Sequence, residues 1–141
     1  MSDLVELHGH PPMSSPVMVL ALEGWIDAGM AAAGAMSAIL DGIDTEPFAT
    51  FDTDVLLDHR ARRPIMHLVD GVNTGLSWPS LELRAGTDAA GQDVLLLLGA
   101  EPDHAWRAFS DAVRLRGSIS ALRKTERIRA SSSRGANGFV R

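Results

Sequence analysis

Carboxylates and a histidine that can transfer protons or bind a hard metal ion follow two apolar runs, VMVLALEG and QDVLLLLGA. They are Glu23, Asp27, Glu101, Asp103 and His104. In an α/β sheet ligands usually bind where the carboxyl ends of parallel strands meet, so these groups suit an acid/base or Mg²⁺ site. Alternatively, Asp27 and Asp103 cap helices while Glu23 and Glu101 face water. Without a Gly-rich anion loop or paired histidines, we predict no metal and no cofactor.

Closely spaced glycines occur in EGWIDAGMAAAGAM, residues 23–36. Gly24, Gly29 and Gly34 lack the GxGxxG spacing of dinucleotide-binding loops, and no Gly-Lys-Ser/Thr is present. Asp27 would also put a negative charge where a helix N-terminus binds anions. We therefore predict that the small residues allow close packing against a sheet or a neighbouring subunit.

Three arginines, Arg60, Arg62 and Arg63, occur together in DHRARRP within an otherwise acidic region. One interpretation is a solvated turn in which they pair with nearby carboxylates, such as Asp52, Asp54 and Asp58. The other is a contact surface for a partner or subunit, where arginine is enriched. The sequence supports both equally.

Apolar runs and helical periodicity predict the elements that position these residues. Strands are predicted at 17–24, 47–57 and 92–100, shorter strands or a hairpin at 63–71 and 76–86, and helices at 28–42 and from 101. The strands at 17–24 and 92–100 should be buried on both faces. The helix at 28–42 should be largely covered, and Pro102 should lie in the first turn of the last helix. This order predicts a layered α/β fold, mainly parallel.

Charge divides the chain of 141 residues into two parts. Residues 1–113 hold five Lys+Arg and seventeen Asp+Glu, a net charge of −12, whereas residues 114–141 hold eight and one, a net charge of +7. An acidic body of this kind repels nucleic acid. There is no cysteine, no signal peptide pattern and no apolar span, so we predict a cytoplasmic protein.

The composition predicts three regions. Residues 1–16 are polar and proline-punctuated, and we expect a loose N-terminal segment. Residues 17–113 form the α/β body. Residues 114–141 are rich in Ser, Arg and Gly, which is typical of a disordered tail.

Three motifs in order, LEGWIDAGMAAAGAM, FDTDVLLDHRARRP and LLLLGAEPDHAWRAFSDAV, resemble the PAC2 family, the proteasome assembly chaperone 2 family, especially its actinobacterial members. The resemblance covers about residues 17–113. We take residues in these motifs as a candidate interaction surface: Gly24, Trp25, Asp27, Gly29, Arg60, Arg62, Arg63, Glu101, Asp103 and Trp106. No catalytic residue is carried over.

The resemblance implies a three-layer α/β fold, with a mainly parallel or mixed sheet and flanking helices, as in nucleoside phosphorylase-like domains. It implies a non-enzymatic protein-interaction scaffold that oligomerises with itself and acts on proteasome subunits, with no specific nucleic acid and no membrane as partner. The alternatives are a ligase-like enzyme that binds a small molecule, or a nucleotide and Mg²⁺, at the strand-end carboxylates, and an inactive fragment of a longer PAC2 protein.

Two features depart from the family pattern. Some archaeal relatives dock on the proteasome ring through a hydrophobic-Tyr-x tail, whereas this chain has no tyrosine and ends in GFVR. Family members also continue into further βα units, where this chain has the basic segment 114–141. We expect a truncated domain with an incomplete sheet and an unrelated tail. The alternative is a genuine arginine-rich arm that binds the acidic body or an acidic partner.

Overall fold

The computed structural model describes residues 4–9, 11–24 and 30–115. The strands are β1 (Val5–Leu7), β2 (Val17–Glu23), β3 (Thr45–Phe51), β4 (Ile65–Val69), β5 (Val72–Ser77), β6 (Leu81–Thr87) and β7 (Asp93–Ala100). The helices are α1 (Ala31–Gly42), α2 (Thr53–Leu56) and α3 (106–115). Trp25, Asp27, Gly29 and residues 116–141 lie outside the described residues, and so do the predictions made for them.

Five strands form one sheet in the order β1-β3-β6-β7-β2. β2 and β7 are parallel, with Val17 opposite Val94 and Glu23 opposite Ala100, whereas the other three neighbouring pairs are antiparallel. The α/β prediction is therefore confirmed, with a mixed sheet. Because β2 and β7 run in the same direction, their carboxyl ends meet at one edge, as the sequence predicted.

Helices lie on both faces of this sheet. The main core contains Leu95 and Leu97 of β7 together with Leu56 of α2 and Phe109 of α3. Successive side chains of a strand point to opposite faces, so Leu98 points the other way, towards α1. There it lines a groove with α1 residues. The sheet thus separates α1 from α2 and α3, which gives three layers.

The predicted burial of β2 and α1 is wrong for the residues described. β2 is an edge strand of the five-stranded sheet. Its residues Val17 and Leu20 are 50% and 53% exposed. In α1 only Met36 is buried, and a methyl group added at Gly34 would meet no atom within 4 Å. An apolar composition indicates that burial of a surface is favourable. It does not indicate whether the same chain or another chain buries that surface.

The predicted strand 47–57 is divided in two by a helix cap. β3 ends at Phe51, and the carboxylate of Asp52 accepts hydrogen bonds from the backbone N–H groups of Asp54 (3.0 Å) and Val55 (3.3 Å). This N-cap starts the short helix α2, whose backbone donors it satisfies. The last helix is also later than predicted, because it begins at residue 106 and leaves Pro102 in the preceding segment.

β4 and β5 form a separate two-stranded sheet, whereas β6 joins the main sheet, so the interpretation of a hairpin formed by 63–71 and 76–86 is wrong. The turn between them consists of Asp70 and Gly71, with φ angles of +49° and +79°. Positive φ at both central residues is the geometry of a type I′ turn, for which Asp-Gly is a preferred sequence. Every residue of both strands is exposed. We call residues 65–77 the hairpin.

Gly99 in β7 is expected to tolerate no side chain. Its φ is +126°, and an added Cβ would collide with the carbonyl oxygen of Ser80 and lie 2.8 Å from the Cα of Leu81. We expect Gly99→Ala to lower the free energy of unfolding by about 3 kcal/mol. Urea unfolding followed by tryptophan fluorescence measures this change.

Gly34→Ala is the matched control, because its Cβ would enter open space within α1. Alanine is the better helix former, so we expect this change to raise the free energy of unfolding by about 0.5–1 kcal/mol. Equal destabilisation by the two substitutions would contradict the close approach at Gly99.

Candidate functional site

Arg62 joins three segments at the carboxyl ends of β2 and β7. Its Nε donates to Oδ2 of Asp103 (3.0 Å), and its Nη2 donates to Oδ1 of the same carboxylate (3.4 Å). Its Nη1 donates to the backbone oxygen of Glu23 (3.2 Å). The two charged side chains are only 16% and 18% exposed. A largely shielded two-point ion pair therefore connects the loop after α2, the end of β2 and the segment after β7.

Asp103 is held as an ionised carboxylate. Burial acts to raise its pKa, but hydrogen bonds from the backbone N–H of Asp58 (2.9 Å) and from Arg62, together with the charges of Arg62 and His104, outweigh that effect and lower the pKa. The backbone N–H of Asp103 in turn donates to the carbonyl oxygen of Leu56 (2.8 Å). Both carboxylate oxygens accept hydrogen bonds, so this group serves as a structural anion.

Glu101 continues the pairing of β2 and β7 beyond the ends of the strands. Its backbone N–H donates to the carbonyl oxygen of Glu23 (3.0 Å). Its side-chain Oε2 lies 2.5 Å from the place that a Cβ at Gly24 would occupy. Gly24 therefore leaves room for the Glu101 carboxylate, and any larger residue at position 24 would displace it.

The structure places the predicted interaction residues that it describes in three locations. Gly24, Arg62, Glu101 and Asp103 meet at the strand ends. Arg60 and Arg63 lie instead beside the start of the hairpin. Trp106 starts α3, with its ring edge-on to Phe109 at 5.7 Å. Trp25, Asp27 and Gly29 are outside the described residues.

The carboxylates near the arginines in sequence have other partners. Asp52 caps α2, the carboxylate of Asp54 accepts from His59 (3.0 Å), and that of Asp58 accepts from the backbone N–H of Arg60 (2.9 Å). The interpretation that the three arginines pair with these acids is therefore wrong for the residues described. Arg62 pairs instead with Asp103, 41 residues away in sequence.

His59 connects this loop to the hairpin. Its Nε2 donates to Asp54, and its ring packs edge-on against Trp78 with the ring centres 5.1 Å apart. The opposite ring nitrogen, Nδ1, is buried and has no hydrogen-bond partner within the described part of the chain. The predictions included neither His59 nor Trp78 in the site. The Asp-Gly pair at 70–71 is a turn signal that could have located the hairpin, but the sequence contains no signal for the contact between His59 and Trp78.

Two grooves flank the Arg62 ion pair. The first, which we call the root groove, has a volume of about 470 Å³ and is lined by His59, Arg60, Arg63, Pro64, Met66, Leu76 and Trp78. The second, the helix groove, has a volume of about 300 Å³ and lies between α1 and the ends of β2 and β7. Most of its lining is aliphatic, with Glu23, Ser37 and Ser80 as polar members.

Groups of three or more His, Cys, Asp or Glu side chains placed to share a metal ion do not occur in ranges 4–9, 11–24 and 30–115. Within the same ranges, no helix has both the length and the apolar character needed to cross a membrane.

Residues 21–118 match the model of the PAC2 family. This chain belongs to the PAC2 family. All three sequence motifs contribute to the Arg62 ion pair, because the first supplies the Glu23 carbonyl, the second Arg62 and the third Asp103. In this chain the three motifs therefore meet in an interaction that joins two strand ends and a loop.

Solved structures support this assignment. A Mycobacterium tuberculosis protein of unknown function is 40% identical, with a TM-score of 0.77 over 86% of this chain and 44% of that chain. A proteasome-assembly chaperone homologue from M. tuberculosis is 34% identical, with a TM-score of 0.64 over 75% and 44%. A PAC2 family protein from Streptomyces avermitilis is 32% identical, with a TM-score of 0.60 over 74% and 45%.

The chain thus spans less than half the length of these solved proteins. Among curated proteins, none matches it.

Replacing Asp103 by asparagine is expected to remove an acid-sensitive part of the stability of this PAC2 chain. Because the pKa of Asp103 is lowered in the fold, its carboxylate stabilises the protein above its unfolded pKa of about 3.9. That contribution is lost as the pH falls through the folded pKa. We expect Asp103→Asn to lower the free energy of unfolding at neutral pH by about 1–3 kcal/mol. Urea unfolding measured from neutral to acid pH should show a smaller acid loss than in the unchanged chain.

Asp111→Asn is the control, because the Asp111–Arg114 pair is 3.9 Å apart and well exposed. Exposed pairs contribute little, so we expect a change below about 0.5 kcal/mol. If Asp103→Asn gave the same small change and an unaltered pH dependence, the Arg62 ion pair would not stabilise the fold.

Proposed function

We propose that this chain is a non-enzymatic protein-interaction scaffold of the PAC2 type, which docks through its hairpin onto a second copy of itself and onto proteasome subunits. One observation carries the proposal: no residue of β4 or β5 is buried. The large apolar side chains concerned are Ile65, Met66, Leu68, Val69, Val72 and Leu76, each 49% to 67% exposed.

Both faces of the hairpin are apolar. Met66 lies opposite Leu76, and side chains alternate along a strand, so Ile65 and Val69 point to the other face. A two-stranded hairpin is only marginally stable on its own in water. An apolar, uncovered element of this size is characteristic of surfaces that bind other proteins.

The docking experiment compares Ile65→Ser/Leu68→Ser with Val55→Ser, a control at an exposed apolar residue of α2. Burying each aliphatic side chain contributes about 1.5–3 kcal/mol, so we expect the double substitution to weaken self-association at least 10-fold. Light scattering coupled to size-exclusion chromatography measures this change across a concentration series. Unchanged association of the hairpin variant would contradict the proposal.

The proposal of proteasome subunits as partners is supported by the similarity to the M. tuberculosis proteasome-assembly chaperone homologue. We expect immobilised chain to retain purified proteasome α or β subunits, and Ile65→Ser/Leu68→Ser to retain less than Val55→Ser. Equal retention by the two variants would separate proteasome binding from the hairpin.

A second candidate function, a small-molecule binder of ligase type, is favoured by the helix groove. This groove lies where the carboxyl ends of β2 and β7 meet, and Glu23 is one of its few polar residues. The test is thermal unfolding with Mg²⁺, ATP or both. A ligand at 100 times its Kd adds about 2.7 kcal/mol, so stabilisation that Glu23→Gln abolishes would support an enzyme or binder. No stabilisation by any of these additions would exclude them as ligands.

A further inference from the structure

We infer that the acidic tip of the hairpin of one copy occupies the root groove of the next copy, so that the chain assembles head to tail. This inference rests on the self-association proposed above and specifies its geometry. The tip consists of Val69, Asp70, Gly71 and Val72, and the root groove is as defined above.

The root groove carries two arginines that pair with no carboxylate among the described residues. Residues 1–113 contain five Arg and no Lys against seventeen acidic residues. Arg62 and Arg84 pair with Asp103 and Glu82. Arg60 and Arg63 form no ion pair within 4.0 Å among the residues that the structure describes. Two guanidinium groups thus lie unneutralised beside an apolar surface on an acidic body.

The tip carries the complementary features. The type I′ turn places the exposed carboxylate of Asp70 at the narrow end of the hairpin, and no cation of the described chain pairs with it. Val69 and Val72 flank it and are 59% and 65% exposed. One carboxylate between two aliphatic side chains fits a groove in which Arg60 and Arg63 adjoin aliphatic and aromatic side chains.

The tip cannot fill the root groove of its own chain. Asp70 lies five residues beyond Ile65, and a strand rises about 3.3 Å per residue, so the tip is roughly 17 Å from the hairpin base. The contact must therefore join two copies. Because the tip and the groove are different surfaces, the contact is heterologous, and its repetition gives a closed ring or a filament.

Charge reversal tests this arrangement. Asp70→Asn removes the tip charge while keeping a residue that tolerates positive φ, and we expect it to weaken self-association at least 10-fold. Arg60→Asp/Arg63→Asp should weaken it at least as much. Sedimentation velocity across a concentration series measures both effects. In the unchanged chain, association should also fall as salt rises.

A mixing experiment distinguishes head-to-tail assembly from a loss of folding. Asp70→Arg has a basic tip and a basic groove, whereas Arg60→Asp/Arg63→Asp has an acidic tip and an acidic groove. We expect each variant alone to remain largely monomeric and an equimolar mixture to assemble. Urea midpoints equal to that of the unchanged chain show that the variants fold.

The outcomes separate this inference from the proposed function. Assembly that survives every charge change but is lost in Ile65→Ser/Leu68→Ser overturns the tip-to-groove contact and leaves hairpin docking intact. Assembly that survives all of these substitutions overturns both. A chain that is monomeric at all concentrations overturns the inference, whether or not it retains proteasome subunits.

Discussion

The hydrogen bonds of the Arg62 guanidinium to Asp103 and to the Glu23 carbonyl hold together the strand ends and the loop that form the candidate site. The two charged groups are largely shielded from water, where an unpaired charge is costly. The ion pair therefore holds the loop after α2 against the ends of β2 and β7. Arg63, Pro64 and then the hairpin follow Arg62 in sequence, so the same contact fixes the point at which the hairpin begins.

The hairpin depends on contacts at its base. The hydrogen bond from His59 to Asp54 and the ring contact of His59 with Trp78 link the end of the hairpin to α2. Along the rest of the hairpin, β4 and β5 pair only with each other in the described structure, and their apolar side chains are exposed. A firmly held base and an uncovered apolar extension suit an element that is completed by binding another protein.

Two of the carboxylates that suggested acid/base chemistry, Glu101 and Asp103, have structural roles in this arrangement. A general base working near neutral pH needs a raised pKa, whereas the pKa of Asp103 is lowered by its donors. The Glu101 backbone extends the pairing of β2 with β7, and Gly24 makes room for its side chain. These contacts bring residues from three separate motifs together at one edge of the sheet.

Local features were determined by the sequence itself. The apolar runs at 17–24 and 92–100 predicted β2 and β7, because the signal for a strand depends on neighbouring residues. Three ordered motifs were sufficient to predict the family. The meeting of carboxylates at one sheet edge followed from the parallel strands alone.

Only the tertiary structure decided which residues interact across the chain. Arg62 had three acidic residues close by in sequence, yet its partner is Asp103, because strand order brings two distant loops together. Composition likewise predicted that β2 and α1 are covered, whereas the described residues leave both largely exposed. An apolar pattern indicates that burying the segment would be favourable in free energy. Whether the same chain or another provides that burial depends on packing, which the pattern does not contain.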